Sequence, residues 1–166
     1  MKTSAMVAAV AVSSALSLGA ALATAPADAD EVADLVSGRT TDRNPLRGYE
    51  GYCTWGAQEL IHDHTGYYIK ALTGEAGTWA SQAEAAGWTV VADAQPNSIA
   101  VFSSSLIGGI GHVAWVDAVN GRQITITEMN NGPGATAENG YRTTGFGGFD
   151  TRTAEDLPGM RYILIP

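Results

Sequence analysis

Apolar side chains recur at three- and four-residue steps in one segment of the chain, which is the spacing of a helix face. This stripe consists of Cys53, Ala57, Leu60, Ile61 and His64. It predicts a helix that begins at Cys53 and ends before Gly66, because glycine commonly follows the last helical turn. The segment WASQAEAA (79–86), followed by Gly87, predicts a second helix.

Beyond residue 87 the apolar period changes to two, which is typical of β-strands. Asn131–Gly148, in contrast, is rich in glycine and predicts a long loop that is either a groove wall or plain surface. Because the helices precede the strands, we expect an α+β domain whose N-terminal helices pack on an antiparallel sheet. The predicted strands are Trp88–Ala92, Ser98–Phe102, His112–Val119, Ile124–Asn130 and Tyr162–Ile165.

Residues 1–29 have the pattern of a secretory signal peptide: Lys2, an apolar run from Met6 to Ala23, and Ala27-Asp28-Ala29 as the expected cleavage site. The alternative is a membrane anchor, since the run is nearly long enough to span a bilayer. Its serines and many alanines make it only weakly hydrophobic, so we expect cleavage, secretion and no membrane contact afterwards. Polar residues 30–47 are predicted to form a leader segment that wraps a single domain, residues 48–166.

The charge and size of the chain limit its function. It has 166 residues with 17 acidic and 9 basic side chains, and its net charge is −8. Such a chain lacks the positive charge needed to neutralise phosphates, which excludes an electrostatic nucleic-acid binder. A hydrophobic fraction of 45% is enough for one globular core. We expect a monomer.

The single cysteine, Cys53, is informative in an exported protein, where cysteines are usually paired. It is an inert buried thiol, an intermolecular bridge or a working thiolate. Its place at the start of a helix favours the last of these, because the helix dipole and the free backbone N–H groups there stabilise negative charge. The same N–H groups can hold a developing oxyanion.

Polar partners for Cys53 stand on two predicted strands. His112 opens one strand, and Glu128 and Asn130 close the next, two residues apart and therefore on one face. A two-residue turn at Asn120-Gly121 would turn His112 away from Glu128. The catalytic hypothesis therefore predicts a three-residue loop, Val119-Asn120-Gly121, that pairs His112 with Glu128 on a face covered by the helix.

These segments, read in order, resemble a known family: GYCTW at Cys53, the WA helix, PNSIAVF, GHVAWV and TEMN. They are similar to the CHAP family, the cysteine- and histidine-dependent amidohydrolases and peptidases of bacterial cell-wall turnover. The resemblance runs from about Gly48 to the end of the chain. It implies a papain-like fold, with Cys53 as nucleophile, His112 as general base and acid, Glu128 as the group that orients His112, and Asn130 as a further polar member of the site.

The same resemblance implies a peptidoglycan substrate and hydrolysis of amide bonds, as an endopeptidase or an N-acetylmuramoyl-L-alanine amidase, without a cofactor. The alternatives are a general secreted cysteine peptidase and a catalytically silent binding module. Many members have Gln before the cysteine where this chain has Tyr52, which leaves the second oxyanion donor open. Some phage-derived members bind calcium upstream of the cysteine, but residues 43–50 hold one acid here, so no metal is expected.

Several other side chains have a simpler explanation than catalysis. His62 and His64 lie more than two turns along the predicted helix from Cys53, too far to take its proton, and are expected to be helix surface and stripe. The four tryptophans are expected to be mostly core.

Overall fold

A computed structural model of the chain describes residues 39–40 and 43–165. The predicted signal peptide, 1–29, lies outside the described residues, as does the leader segment apart from 39–40 and 43–47. Within the part that is described, no helix is long and apolar enough to cross a membrane.

Helices occur where the apolar stripes predict them. Helix α1 spans Cys53–Thr65 and is followed by Gly66 in the left-handed region (φ 82°), whose N–H donates to the His62 carbonyl at 2.7 Å. A 3-10 turn at Ala76–Thr78 leads into α2, Trp79–Ala85, which is one residue shorter than predicted. A short helix, α3 at Ser104–Ile107, was not predicted.

The strands form a six-stranded antiparallel sheet and a separate pair. The pair joins β1, Arg39–Thr40, to β2, Tyr68–Ile69. The order in the large sheet is β3-β8-β4-β5-β6-β7. Its strands are β3 Val90–Val91, β4 Ser98–Phe102, β5 His112–Asn120, β6 Gln123–Met129, β7 Phe149–Glu155 and β8 Arg161–Leu164.

The sheet is buried on both faces at its centre, where all five residues of β4 are buried. Helices α1 and α2 cover one face, and a second apolar cluster covers the other. The helix-covered face carries Ile99, Val101, Val113, Trp115 and Ile163. The opposite face carries Ala100, Phe102, Ala114, Val116, Ile124 and Ile126.

The helices thus cover the face opposite to the predicted one. His112 shares its face with Ala114 and Val116, which belong to the second cluster. Because both faces of β4 and β5 are apolar at the centre of the sheet, the sequence alternation carries no information about which face the helices take. The expectation of a helix over the His112 face was wrong for this reason.

The hairpin between β5 and β6 also differs from the prediction. Asn120 pairs with Gln123, so the turn is the two residues Gly121-Arg122, with Gly121 at φ 60°. A β-bulge then leaves Asp117 unpaired, and Val116 lies opposite Ile126. The predicted three-residue loop is wrong, but the bulge shifts the register by one residue and so restores the predicted shared face of His112 and Glu128.

Candidate active site

Cys53 is the first residue of α1 and is buried, with 5% of its surface exposed. The chain reaches it through a tight turn with Gly48 and Gly51 at positive φ. Tyr52, the N-cap residue, makes no side-chain capping bond. The first backbone N–H groups of the 13-residue helix are therefore not taken up by a cap, and they lie beside the thiol.

His112 stands between Cys53 and Glu128. Its Nε2 lies 2.7 Å from Oε2 of Glu128, whose side chain is fully buried. His112 also lies close enough to Cys53 for the thiol to raise the pKa of the imidazole. Since Nε2 faces the carboxylate, Nδ1 is the ring nitrogen left for the thiol. The structure thus brings these three predicted residues together at the end of the sheet where β5 begins.

The electrostatic environment of the site favours the charged forms of His112 and Glu128. Burial acts against an imidazolium, but the hydrogen bonds to Cys53 and Glu128 outweigh it and raise the pKa of His112 to about 9. Burial would likewise raise the pKa of Glu128, yet its bonds to His112, Arg152 and Asn131 lower it to about 2. At neutral pH the pair is therefore an imidazolium bonded to a carboxylate.

Two residues that the sequence did not single out hold Glu128 from its other side. Oε1 accepts a hydrogen bond from Nε of Arg152 on β7 and a second, of 2.9 Å, from Nδ2 of Asn131. The strand β7 (FDTRTAE) alternates in its residues but has no apolar face, and for this reason no strand was predicted there. The sequence did offer one indication of a strand, because Asp150, Arg152 and Ala154 alternate with two threonines.

Asn130 reaches the cleft but makes its hydrogen bonds elsewhere. It adopts a positive φ of 56°, and its Nδ2 donates to the Tyr141 carbonyl at 3.0 Å. Its Oδ1 accepts from the backbone N–H of Thr143 at 2.8 Å and from the hydroxyl of that residue at 3.1 Å. All three bonds hold the Gly-rich loop, 131–148, rather than His112.

An open cleft of about 1050 Å³ runs past Cys53, His112 and Glu128. The Gly-rich loop forms one wall of it, which decides between the two alternatives left open by the sequence. Tyr52 fastens this wall to the start of α1: its hydroxyl donates to the Gly140 carbonyl at 2.9 Å and its ring meets Phe146 edge-on at 5.1 Å.

The other two histidines lie apart from this cleft. His62 stacks on Tyr68 at 4.4 Å and His64 stacks on Trp115 at 4.3 Å. Both rings are thus engaged along α1. Across residues 39–40 and 43–165 no group of three or more His, Cys, Asp or Glu side chains is placed to hold a metal ion.

A helix that begins at a cysteine, an imidazole bonded to a buried carboxylate and an antiparallel sheet behind them are together typical of papain-like α+β proteins. The CHAP domain model matches residues 44–130, a span that includes Cys53, His112, Glu128 and Asn130. The chain belongs to the CHAP domain family, as its sequence resemblance predicts.

Among curated proteins, the chain is similar to the staphylococcal secretory antigen ssaA2 of Staphylococcus aureus, with 35% identity over 99 residues, or 59% of this chain and 34% of that protein. It is also similar to the secretory antigen SsaA of Staphylococcus epidermidis, with 37% identity over 86 residues, or 51% of this chain and 31% of that protein. The match spans about a third of the length of these relatives.

Among solved structures, the fold is similar to that of an N-acetylmuramoyl-L-alanine amidase from Staphylococcus aureus, with a TM-score of 0.57 and 24% identity. The match covers 75% of this chain and 32% of that one. At this identity the likeness concerns the fold, and it confirms the α+β arrangement expected from the sequence.

Proposed function

We propose that this protein is a secreted peptidoglycan hydrolase that cleaves amide bonds through the thiol of Cys53. The observation that carries the proposal is the position of His112, which lies between Cys53 and the buried Glu128 and is bonded to the carboxylate. Membership of the CHAP domain family supports the hydrolase class. The names of the relatives, which are secretory antigens, support an extracellular location.

In the proposed mechanism the thiolate of Cys53 attacks the carbonyl carbon of an amide. The imidazolium of His112 is the counter-ion of this thiolate. The backbone N–H of Cys53 donates to the oxyanion of the tetrahedral intermediate. His112 then protonates the leaving amine, the C–N bond breaks and a thioester remains. Water, deprotonated by His112, attacks the thioester, and the C–S bond breaks. The carboxylic acid leaves, and the thiolate–imidazolium pair is restored.

Glu128 and Asn130 have supporting roles in this proposal. Glu128 fixes the orientation of the imidazole and stabilises its positive charge, as the third member of such a group does. Asn130 holds the loop that forms one wall of the cleft, through its bonds to Tyr141 and Thr143. It therefore shapes the place where substrate lies without touching the proton-transfer groups.

Peptidoglycan is the proposed substrate because the protein is expected outside the cell and its fold is similar to that of a wall amidase. The bond cut is either the amide between sugar and peptide or an amide within the peptides. The proposed chemistry needs no cofactor, because Cys53 supplies the nucleophile and His112 carries out every proton transfer.

The experiment is the digestion of purified sacculi by the chain from Asp30 to Pro166, with products separated by mass. We expect soluble muropeptides from the unaltered chain and a loss of on the order of a thousandfold or more with Cys53→Ala, because the nucleophile is absent. His62→Ala is the matched control, since it removes a histidine of α1 outside the cleft. The fragment masses distinguish amidase from endopeptidase.

Intact sacculi with both chains would contradict the proposal. Cleavage of casein without release of muropeptides would then indicate a general cysteine peptidase. Binding to sacculi without any turnover, together with a Cys53 thiol that resists alkylation, would indicate a silent binding module.

A further inference from the structure

The two oxygens of the buried Glu128 carboxylate face different partners. Oε2 lies 2.7 Å from His112, on the side of the cleft. Oε1 faces the edge of the sheet, where Arg152 and Asn131 donate to it. We propose that Arg152 is a positioning residue for the reaction, which holds Glu128 ionised and oriented so that His112 keeps its proton beside Cys53.

The backbone places Arg152 for this contact. Strand β7 pairs with β6 in an unbroken antiparallel register, in which Arg152 lies opposite Ile126 and Asp150 lies opposite Glu128. Ile126 and Glu128 share a face, and so Arg152 reaches diagonally along that face to the carboxylate. Nε, the nitrogen of the planar guanidinium that is nearest to the main chain, makes the bond.

A fully buried carboxylate needs such a partner. Removing Arg152 would leave Oε1 with Asn131 as its remaining donor and Glu128 with His112 as its remaining charged partner. The carboxylate is then free to turn away from its present orientation, and this weakens the bond from Oε2 to His112. The imidazolium would lose its counter-charge, and the proton needed by the leaving amine would be held less firmly.

The charged and titratable neighbours of His112 and its carboxylate come from three elements. Cys53 on α1 and Glu128 on β6 face His112, and Arg152 on β7 faces Glu128. Asp150, also on β7, lies behind Asn131, whose Nδ2 donates to it at 3.1 Å. Of these, Arg152 is the single positive charge in direct contact with Glu128 besides His112.

The inference rests on the proposed function for its catalytic meaning, but its central test needs no substrate. The imidazole resonances of the three histidines are followed by NMR against pH, and His112 is assigned by the loss of its signal in His112→Gln. We expect Arg152→Met to lower the titration midpoint of His112 by about one pH unit or more. Arg152→Lys, which keeps the charge but not the geometry of Nε, should give a smaller change.

Arg122→Met is the matched control. Arg122, in the turn before β6, forms an ion pair of 2.9 Å with Glu155 at the end of β7. Both side chains are more than 60% exposed and lie at the end of these strands that is distant from Glu128. The Arg122→Met substitution removes the same charge from the molecule as Arg152→Met and should leave the titration midpoint of His112 unchanged. An equal change of the His112 midpoint in both methionine variants would mean that the net charge of the protein alone sets this midpoint, and this result would overturn the inference.

A folded Arg152→Met with an unchanged His112 midpoint would also overturn it. If that variant does not fold, Arg152→Lys decides, because a midpoint equal to that of the unaltered chain would show that the geometry of the contact is irrelevant. In muropeptide release, Arg152→Met should lower kcat with little change in KM. Absence of release by the unaltered chain would remove the proposed function, whereas the titration would still decide the role of Arg152.

Discussion

At the scale of single residues, a buried glutamine of α1 holds the connection that follows the helix. Gln58 is fully buried. Its Nε2 donates to the carbonyls of Ile69 and Leu72 at 2.7 and 2.9 Å, and its Oε1 accepts from the N–H of Ile69 at 2.9 Å. A single amide thus satisfies three backbone groups that have no water to bond. A polar residue in a helix is usually expected at the surface, and so this role could not be predicted from the sequence.

Gln58→Leu keeps the approximate volume of the side chain but removes all three bonds, so that the Ile69 carbonyl keeps only the N–H of Leu72, at 3.4 Å. We expect the free energy of unfolding to fall by roughly 2–4 kcal/mol, because each buried group left unsatisfied costs about 1–3 kcal/mol. Urea unfolding measures it. Gln82→Leu is the control, since Gln82 makes similar bonds to Thr73 and Thr78 at exposed atoms. Equal losses in the two variants would contradict the argument from burial.

At the scale of elements, the beginning of α1 and the Gly-rich loop are packed as one unit. Gly51 has a positive φ of 94°, and a Cβ there would lie 2.6 Å from the ring of Phe146, so only glycine fits. The N–H of Gly147 donates to the Gly51 carbonyl at 3.0 Å. The wall of the cleft is therefore attached directly to the segment that presents Cys53.

Tyr52→Phe should loosen this attachment without unfolding the protein. It removes the bond from the hydroxyl to the Gly140 carbonyl but keeps the ring that packs on Phe146. A net hydrogen bond is worth about 1 kcal/mol, and so amide exchange in residues 136–145 should rise about fivefold. Hydrogen-exchange mass spectrometry measures this. Tyr49→Phe is the control, since Tyr49 packs edge-on against Tyr52 at 6.3 Å in the turn before α1. Unchanged exchange in both variants would show that the hydroxyl bond does not stabilise the loop.

At the scale of the whole molecule, the sheet has an apolar layer on each side. The ion pair of His112 and Glu128 lies at the end of the sheet where β5 begins. The helices α1 and α2 cover one face, while Met160, Tyr162 and their neighbours belong to the cluster on the other. His112 and Glu128 stand at the rim of this second cluster. Because both are largely buried, their ionisation is coupled to folding as well as to the proposed chemistry.

The stability of the protein should depend on pH in a defined sense. The pKa of His112 is raised in the folded state to about 9, so its contribution is complete below about pH 6.5 and is lost as the pH rises toward 9. The pKa of Glu128 is lowered to about 2, so its contribution is complete above about pH 4.5 and is lost as the pH falls toward 2. We expect maximal stability between pH 4.5 and 6.5.

Urea unfolding between pH 6 and 9 tests the alkaline side of this profile. The free energy of unfolding should fall with rising pH by at most about 3 kcal/mol, since each pKa unit corresponds to about 1.4 kcal/mol. His112→Gln should flatten the slope, and His62→Gln should not. A level profile in the unaltered chain would contradict the coupling of His112 to folding.

The elements that the sequence predicted have a regular pattern of apolar side chains, on one face or, as in β4, on both. Helix α1 is an example, because its stripe from Cys53 to His64 matches a single helical face. Strand β7 has no such pattern: six of its seven residues are exposed, and it is held by pairing with β6 rather than by burial. The bulge at Asp117 could not be predicted, because an aspartate in a strand does not indicate that the residue lacks a partner on the neighbouring strand.

Local periodicity and spacing along the chain were enough to predict the α+β class, helix α1, the central strands and the candidate residues Cys53, His112 and Glu128. The folded structure was needed to show which face the helices cover and how the bulge restores the shared face of His112 and Glu128. It was also needed to show that Arg152 and Asn131 hold the carboxylate. These features depend on pairing between strands and on burial from two sides. Such contacts join residues far apart in the chain, and no local pattern specifies them.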